Sequence, residues 1–130
     1  KANELVSGDD VVIIANGDTV IIALEAANEL INYHIKARVL DMHTIKPLDV
    51  DAVRKAIDEV GKIITIEDHN IINGLGSAVA EQVAERGKGI LRRIGIQDAF
   101  GESAPYARLL EKNGITKENV VKLARELFEI

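Results

Sequence analysis

The sequence predicts an α/β domain in which a parallel sheet is covered by helices on both faces. Short, continuous apolar runs alternate with longer stretches whose apolar residues recur at helical spacing. The first pattern is typical of strands buried on both faces, and the second indicates helices that pack on one side. Aromatic residues make up 3% of the chain, so the core must be built from Val, Ile, Leu and Ala. The 130 residues suit one domain, spanning residues 1–130.

The first strand and helix are predicted at residues 11–15 and at about residues 19–33. The strand is an uninterrupted apolar run that a polar turn at residues 16–18 ends. Asp18 suits an N-cap because its carboxylate can accept hydrogen bonds from the free amides of the first helical turn. The apolar face of the helix comprises Val20, Ala23, Leu24, Ala27, Leu30 and Ile31. Residues 3–6 are a further candidate for an edge strand.

The second pair is a strand at residues 35–42 and a helix that Asp49 caps. A loop at residues 43–48 separates them. Gly61 is the expected end of the helix because glycine readily adopts left-handed backbone geometry. The apolar face of this helix consists of Val53, Ala56, Ile57 and Val60.

A third strand at residues 62–66 leads into a polar loop at residues 67–73. The third helix opens at residues 74–77 and ends near Gly87, and a fourth strand follows at residues 90–96. Repeated strand–helix alternation of this kind is typical of parallel strands joined by right-handed crossovers.

The C-terminal part of the chain is predicted to be helical. After a loop at residues 97–103, a short helix covers residues 105–113, with Gly114 at its C-terminal end. Thr116 caps the last helix. The apolar stripe of that helix consists of Val120, Leu123, Ala124, Leu127 and Phe128.

Composition excludes several classes of function. The net charge of −5 argues against a general nucleic-acid surface, and the adjacent pair Arg92 and Arg93 is interpreted as a surface feature. The absence of cysteine excludes disulfides, thiolate catalysis and cysteine–zinc sites. No apolar run approaches the ~18 residues that a membrane span needs. The sequence therefore predicts a cytoplasmic protein that binds neither nucleic acid nor membrane.

A glycine-rich turn at residues 74–77 precedes the third helix. Such a turn can present backbone amides to a phosphate or carboxylate, or it can simply allow a tight loop and close helix packing. The dinucleotide fingerprint needs a glycine where this chain has Val79. A dinucleotide-dependent enzyme is therefore disfavoured, and the packing interpretation is preferred.

The triplet Glu67, Asp68 and His69 stands after the third strand and could do acid–base work or hold a metal together with His43. Adjacent residues point in different directions, so a hydrogen-bonded network or a subunit contact is the favoured interpretation. Ser77 lacks an obvious paired base, which argues against a hydrolase. The residues by themselves show no self-sufficient catalytic set, so no catalytic or metal-binding residue is predicted.

The order of these segments resembles the C-terminal domain of transketolases. Residues 45–47 read Ile-Lys-Pro, and residues 64–69 followed by 74–81 are the most specific match. The remaining matching segments are residues 12–17, 23–27, 39–49, 95–103 and 109–110. The same domain type is the C-terminal domain of 1-deoxyxylulose-5-phosphate synthases and of the β subunits of pyruvate-type dehydrogenases. The segment Glu67, Asp68 and His69 together with the Ile-Lys-Pro turn is more similar to transketolases. The chain departs from the family pattern at Asn16, Asn73 and Ala104.

The resemblance implies a three-layer α/β/α fold whose mostly parallel five-stranded sheet has one antiparallel edge strand. It also implies a parent enzyme that moves a two-carbon ketol unit between sugar phosphates, using thiamine diphosphate and a divalent metal held by other domains. This domain would then hold no cofactor. Its partners would be the remaining transketolase domains or a separate subunit, within a parent homodimer.

In the family's strand order, the strands at residues 11–15 and 62–66 are neighbours, so that two helix N-termini converge on one crevice. Free amides and positive helix ends favour an anion there, whereas the carboxylates of the crevice oppose one or occupy the amides themselves. The candidate residues of this anion site are Gly17, Asp18, Thr19, His69, Gly74, Gly76 and Ser77.

Three functions stay open at this point. The first is a structural, dimer-supporting and non-catalytic domain of a ketol transferase, or of a related 1-deoxyxylulose-5-phosphate synthase. The second is a regulatory module that senses a phosphorylated metabolite in the crevice. The third is an independent small α/β enzyme, which the broken glycine fingerprint disfavours.

Overall fold

A computed structural model describes residues 1–70, 74–97 and 105–130. Five strands form one sheet in the order β1-β3-β2-β4-β5. The strands are β1 (Asn3–Val6), β2 (Val11–Ala15), β3 (Ala37–Asp41), β4 (Lys62–Asn70) and β5 (Ile90–Ile96). The helices are α1 (Thr19–Leu30), α2 (Val50–Glu59), α3 (Leu75–Arg86), α4 (Tyr106–Lys112) and α5 (Lys117–Phe128). In these described residues no helix is long and apolar enough to cross a membrane.

The sheet is parallel except at β1, which pairs antiparallel with β3. β2 lies at the centre, where it pairs with β3 on one side and with β4 on the other. The chain therefore passes first to one side of β2 and then to the other, which makes the β2–β4 pair the switch point of the sheet. The fold implied by the resemblance is confirmed, including its antiparallel edge strand.

Helices cover both faces of the sheet. On one face, α1 and α5 pack against the sheet with fully buried side chains such as Ala23, Leu30 and Leu127. On the other face, α2 and α3 contribute Val53 and Val79. Strand β2 supplies alternate side chains to both clusters and is buried throughout, as its continuous apolar sequence predicts.

The predicted face of α1 is partly wrong. Leu24 is only half-buried, and Ile31 is 62% exposed. The α-helix ends at Leu30, and residues Ile31–Tyr33 form one turn of 3-10 helix before His34 takes a positive φ of 61°. Because a 3-10 helix has fewer residues per turn than an α-helix, the side chain of Ile31 does not lie on the face that α-helical spacing predicts. Ala26, which the helical spacing did not select, is buried instead.

Two helix caps are confirmed and one is wrong. Asp49 Oδ1 accepts a hydrogen bond from Ala52 N at 3.1 Å, and Thr116 caps the last helix in the same way. The side chain of Asp18 makes no such bond. Because α1 follows β2 through a tight backbone turn, Thr19 N donates to Asn16 O at 3.2 Å and the cap carboxylate is not used.

The polar loop predicted at residues 67–73 begins later in the structure than the sequence indicates. Residues 67–70 continue β4 instead of forming a loop. Glu67 belongs to a fully buried part of that strand because its carboxylate finds backbone partners on α3. Phe128, predicted to face the core from α5, is 41% exposed at the end of its helix.

A buried arginine holds the segment between β1 and β2 against the sheet. The side chain of Arg38 is 8% exposed and donates to Gly8 O at 2.9 Å, to Asp9 Oδ1 at 2.9 Å and to Glu59 Oε1 at 2.8 Å. The backbone at Gly8 passes close to β3, because a Cβ at this position would lie 2.6 Å from the carbonyl carbon of Ala37. Glycine is therefore required sterically at position 8.

Candidate functional site at the switch point

The predicted crevice lies where the carboxyl ends of β2 and β4 meet the first turns of α1 and α3. The parallel register pairs Ala15 with Ile66, so the residues that follow each strand lie side by side. In an open α/β sheet, this is the position where ligands commonly bind. The prediction that these two strands are neighbours is therefore confirmed.

Thr19 joins the ends of the two strands. It is 1% exposed, and its Oγ1 lies 2.7 Å from Asn16 O and 2.9 Å from Ile66 O. The same oxygen accepts a hydrogen bond from Asn16 N at 3.3 Å. Thr19 is thus buried, and its hydroxyl is hydrogen-bonded to the backbone at the ends of both strands.

Glu67 caps the N-terminus of α3 from inside the protein. Its side chain is fully buried, and its two carboxylate oxygens accept hydrogen bonds from Leu75 N at 2.8 Å and from Gly76 N at 2.7 Å. A negative charge at this position is favourable because the first amides of a helix are positively polarised. The interpretation in which a carboxylate of the crevice occupies the amides itself is correct at this helix.

Gly76 favours this arrangement. A Cβ at position 76 would lie 2.8 Å from Arg93 Nε, 3.0 Å from Thr65 Oγ1 and 3.2 Å from Glu67 Oε2, so these side chains would have to move. The glycine therefore allows close packing of α3 on β4, which supports the packing interpretation of the glycine-rich turn. Gly17 takes a positive φ of 58° in an exposed turn, and Gly74 immediately precedes α3.

Ser77 and Arg93 extend the crevice toward β5. Arg93 Nη2 donates to Ser77 Oγ at 2.9 Å. Arg93 lies beside Thr65 in the β4–β5 register, which places it on the same face of the sheet as Glu67. Arg93 is exposed, as the interpretation of Arg92 and Arg93 as a surface feature predicts, but sequence reasoning did not predict its contact with Ser77. Residues 92 and 93 alternate between the two faces of β5, and that alternation is the signal that could have separated them.

Tyr106, at the start of α4, connects two carboxylates at the rim. Its hydroxyl donates to Asp68 Oδ2 at 2.6 Å and lies 3.5 Å from Asp18 Oδ2. The hydrogen bond to Asp68 raises the pKa of the Tyr106 phenol above its ordinary value, and partial burial raises it further. Sequence reasoning also missed this residue, since a tyrosine 38 positions away along the chain gives no local signal.

The crevice therefore contains several carboxylates, and their negative charge opposes a bound anion. Glu67 occupies two amides of α3, and Asp18 and Asp68 lie at the rim beside Tyr106. The side chain of His69 and the segment 98–103 fall outside the described residues, so anion binding by the full set stays a prediction. Among the residues that the structure describes, no group of three or more His, Cys, Asp or Glu side chains could hold a metal ion.

Comparison with known proteins identifies the family. A family model described as "Transketolase, C-terminal domain" matches residues 1–120. The chain belongs to the transketolase C-terminal domain family. A 6-deoxy-6-sulfo-D-fructose transketolase subunit of Clostridium sp. (strain MSTE9) is 43% identical over 99% of this chain and 40% of its own length. One of the subunits of the apulose-4-phosphate transketolase of Phocaeicola vulgatus is 44% identical, with 99% and 41% of the two chains covered.

The similarity extends to synthases and to solved transketolases. The 1-deoxy-D-xylulose-5-phosphate synthase of Heliobacterium modesticaldum is 40% identical over 94% of this chain and 19% of its own. A split-gene transketolase, solved as an inactive β4 tetramer, is 39% identical with a TM-score of 0.90, covering 99% of this chain and 42% of that one. The transketolase of Leishmania mexicana has a TM-score of 0.72 at 28% identity, covering 98% and 18%. This transketolase C-terminal domain thus spans about two fifths of the subunit relatives.

Proposed function

We propose that this chain is the C-terminal domain of a thiamine-diphosphate-dependent ketol transferase assembled from separate subunits, and that its role there is structural. Two of the similar relatives are transketolase subunits, and the match covers 99% of this chain in each. The parent enzyme moves a two-carbon ketol unit between sugar phosphates in the cytoplasm and works as a homodimer of its assembled unit. A 1-deoxyxylulose-5-phosphate synthase is the alternative parent.

The observation that carries the structural role is the occupied N-terminus of α3. Helix N-termini at a switch point are the usual groups for binding a phosphorylated ligand. Here a fully buried carboxylate of the same domain accepts from Leu75 N and Gly76 N. The strongest candidate for ligand binding in the crevice therefore stabilises the domain itself.

The crevice does not fit the diphosphate of the cofactor. A diphosphate needs amide donors or cationic side chains, whereas the carboxylates of Glu67, Asp18 and Asp68 outnumber the guanidinium of Arg93 at this place. Like charges at short range in a partly buried site repel by a few kcal/mol, on the order of what one good hydrogen bond contributes. Other domains of the parent enzyme are therefore expected to bind thiamine diphosphate and the divalent metal.

The test is reconstitution of the parent enzyme from its parts. Ketol transfer is assayed with sugar phosphates, thiamine diphosphate and magnesium in three samples. These are the chain alone, the remaining sections of the parent alone, and the mixture of the two. We expect turnover only in the mixture, and we expect Tyr106→Phe to leave that turnover within about threefold. Turnover by the chain alone would overturn the proposal. Loss of turnover in a Tyr106→Phe mixture that still assembles would also overturn it.

A further inference from the structure

The chain contains three Asn-Gly pairs, at residues 16–17, 73–74 and 113–114. An asparagine that precedes glycine is prone to lose its side-chain amide. The backbone nitrogen of the glycine can attack the asparagine Cγ, because glycine has no Cβ to hinder the approach. The first and the last of these pairs lie wholly within the described residues, and their surroundings differ.

The pair Asn113–Gly114 is held by hydrogen bonds at every group that the reaction needs. Asn113 Oδ1 accepts from Gln97 N at 3.0 Å, and Asn113 Nδ2 donates to Leu109 O at 2.8 Å. The attacking group, Gly114 N, donates to Glu111 O at 3.1 Å. These bonds fix the amide and occupy the nucleophile, so they must break before the two can react.

The pair Asn16–Gly17 lacks such bonds. Asn16 Oδ1 accepts no hydrogen bond from the described part of the chain, although Asn16 is only 8% exposed. Within the same part of the chain, Gly17 N donates to no backbone acceptor. Gly17 is exposed, and a Cβ at this position would meet no atom within 4 Å. Hydrogen bonds therefore do not hold the reacting groups apart, and solvent base can reach the nitrogen that must lose its proton.

We propose that Asn16 is a site of deamidation in the folded protein, through a succinimide that it forms with Gly17. Gly17 N attacks Asn16 Cγ, a bond forms between these atoms, and the bond from Cγ to Nδ2 breaks. Nδ2 leaves as ammonia and takes up the proton that Gly17 N loses. Water then adds to either carbonyl carbon of the ring, which opens to an aspartyl or an isoaspartyl residue. The net reaction consumes water, releases ammonia and involves no oxidation or reduction.

Ring closure requires a local opening of the turn between β2 and α1. Thr19 N donates to Asn16 O at 3.2 Å, the long end of the usual range, and Thr19 Oγ1 lies 2.7 Å from the same oxygen. The fold therefore slows the reaction at Asn16 relative to an unfolded chain. It slows the reaction at Asn113 further, because the next turn is anchored by Ile115, which is 1% exposed and donates from its N to Leu110 O at 2.8 Å.

Deamidation of Asn16 adds a carboxylate to the crevice. Asn16 and Glu67 directly follow Ala15 and Ile66, which are partners in the β2–β4 register. The Glu67 carboxylate is fully buried, and a second carboxylate beside it is unfavourable because like charges repel strongly where water is excluded. The isoaspartyl product also lengthens the backbone at the end of β2. The modified chain is therefore less stable, and the switch point of the sheet weakens as the protein ages.

The test is peptide mapping of the 130-residue chain by mass spectrometry after incubation in mildly alkaline buffer, with and without urea. In urea, Asn16 and Asn113 should lose their amides at similar rates, because both precede glycine. In the folded chain we expect Asn16 to react at least about tenfold faster than Asn113, since fewer hydrogen bonds must break. The unfolded chain is thus the matched control for the effect of the fold. No ketol-transfer assay is involved, so the result does not depend on the proposed function.

The products and their consequence are measured separately. A succinimide opens to both products, so isoaspartate should accompany aspartate at position 16. Asn16→Asp should lower the urea concentration at the midpoint of unfolding. Asn28→Asp makes the same charge change at an exposed position of α1 and should lower that midpoint much less.

Three results would overturn the proposal. One is a folded chain in which Asn113 loses its amide as fast as Asn16, or in which neither reacts while the unfolded chain reacts to completion. Another is a product at position 16 that is aspartate alone, since direct hydrolysis of the amide gives no isoaspartate. The third is an equal urea midpoint for Asn16→Asp and Asn28→Asp, which would contradict the loss of stability.

Discussion

At the scale of single residues, Glu67 has a large predicted effect on stability. Replacing it by alanine leaves two amides of α3 buried without an acceptor, and each such donor costs about 1–3 kcal/mol. We expect Glu67→Ala to lower the free energy of unfolding by about 2–6 kcal/mol and Glu67→Gln to lower it by less, since glutamine keeps one oxygen. Urea denaturation measures both changes.

The control for Glu67 is Glu81, which is exposed on the same helix. Glu81→Ala should change the free energy of unfolding by no more than about 0.5 kcal/mol. If Glu67→Ala were equally neutral, the carboxylate would not cap α3, and the interpretation of the crevice as internally occupied would be wrong.

The hydrogen bonds that Asp49 accepts make the stability of the domain depend on pH. Its carboxylate accepts from Ala2 N at 2.8 Å and from Ala52 N at 3.1 Å, and these bonds lower its pKa below the ordinary 3.8. Because the folded pKa is the lower one, the stabilisation is complete above about pH 4 and is lost as the pH falls through the lowered pKa.

We therefore expect Asp49→Ala to cost about 1–2 kcal/mol at pH 7, a typical value for a lost N-cap, and progressively less below about pH 4. The measurement is the difference in the free energy of unfolding between wild type and variant at several pH values. A difference that grew on acidification would contradict the lowered pKa.

At the scale of secondary-structure elements, α1 offers a comparison of two leucines. Leu30 is fully buried between the sheet and α5, while Leu24 is half-buried beside an apolar surface groove. The sequence predicts both in the core and a cost of about 2–5 kcal/mol for Leu24→Ala, but the structure supports that cost only for Leu30→Ala. Leu24→Ala should cost about 1–2 kcal/mol, because Leu24 is only partly buried against the core and part of its apolar surface is already in water.

Chemical denaturation of the two variants at low protein concentration measures this comparison. Equal costs for the two leucines would mean that α1 is rotated relative to the orientation described here.

At the scale of the whole molecule, the order of the strands predicts where the fold opens first. β2 is fully buried and has a neighbour on each side, whereas β1 is a four-residue edge strand with mostly exposed side chains. Amides of β2 and of the buried part of β4 should exchange hydrogen only through global unfolding, and those of β1 should exchange faster through local opening.

Native-state hydrogen exchange measures this order. Asp49→Ala removes the bond to Ala2 N, so it should speed exchange in β1 by more than it speeds exchange in β2. Amides of β1 that exchange as slowly as those of β2 would show instead that the edge strand belongs to the cooperative core.

Much of the fold could be predicted from the sequence because its signals are local. The apolar run of β2 and the bounds of β5 agree with the prediction, as do the caps at Asp49 and Thr116. These features depend on hydrophobic periodicity and on hydrogen bonds between residues three positions apart, which a sequence displays directly. The strand order came from the resemblance, since periodicity alone does not say which strands are neighbours.

The chemistry of the crevice was decided by tertiary structure. Glu67 is a charged residue in a polar segment, which predicts a loop. It lies in a buried strand instead, because α3 brings Leu75 N and Gly76 N to its carboxylate. Tyr106 reaches Asp68 across 38 positions, and no local pattern encodes that contact. The sequence by itself determined the α/β class, most of the elements and the family. Only the folded chain decided that the crevice holds its own carboxylate, because burying a charge is favourable where partners from distant segments meet it.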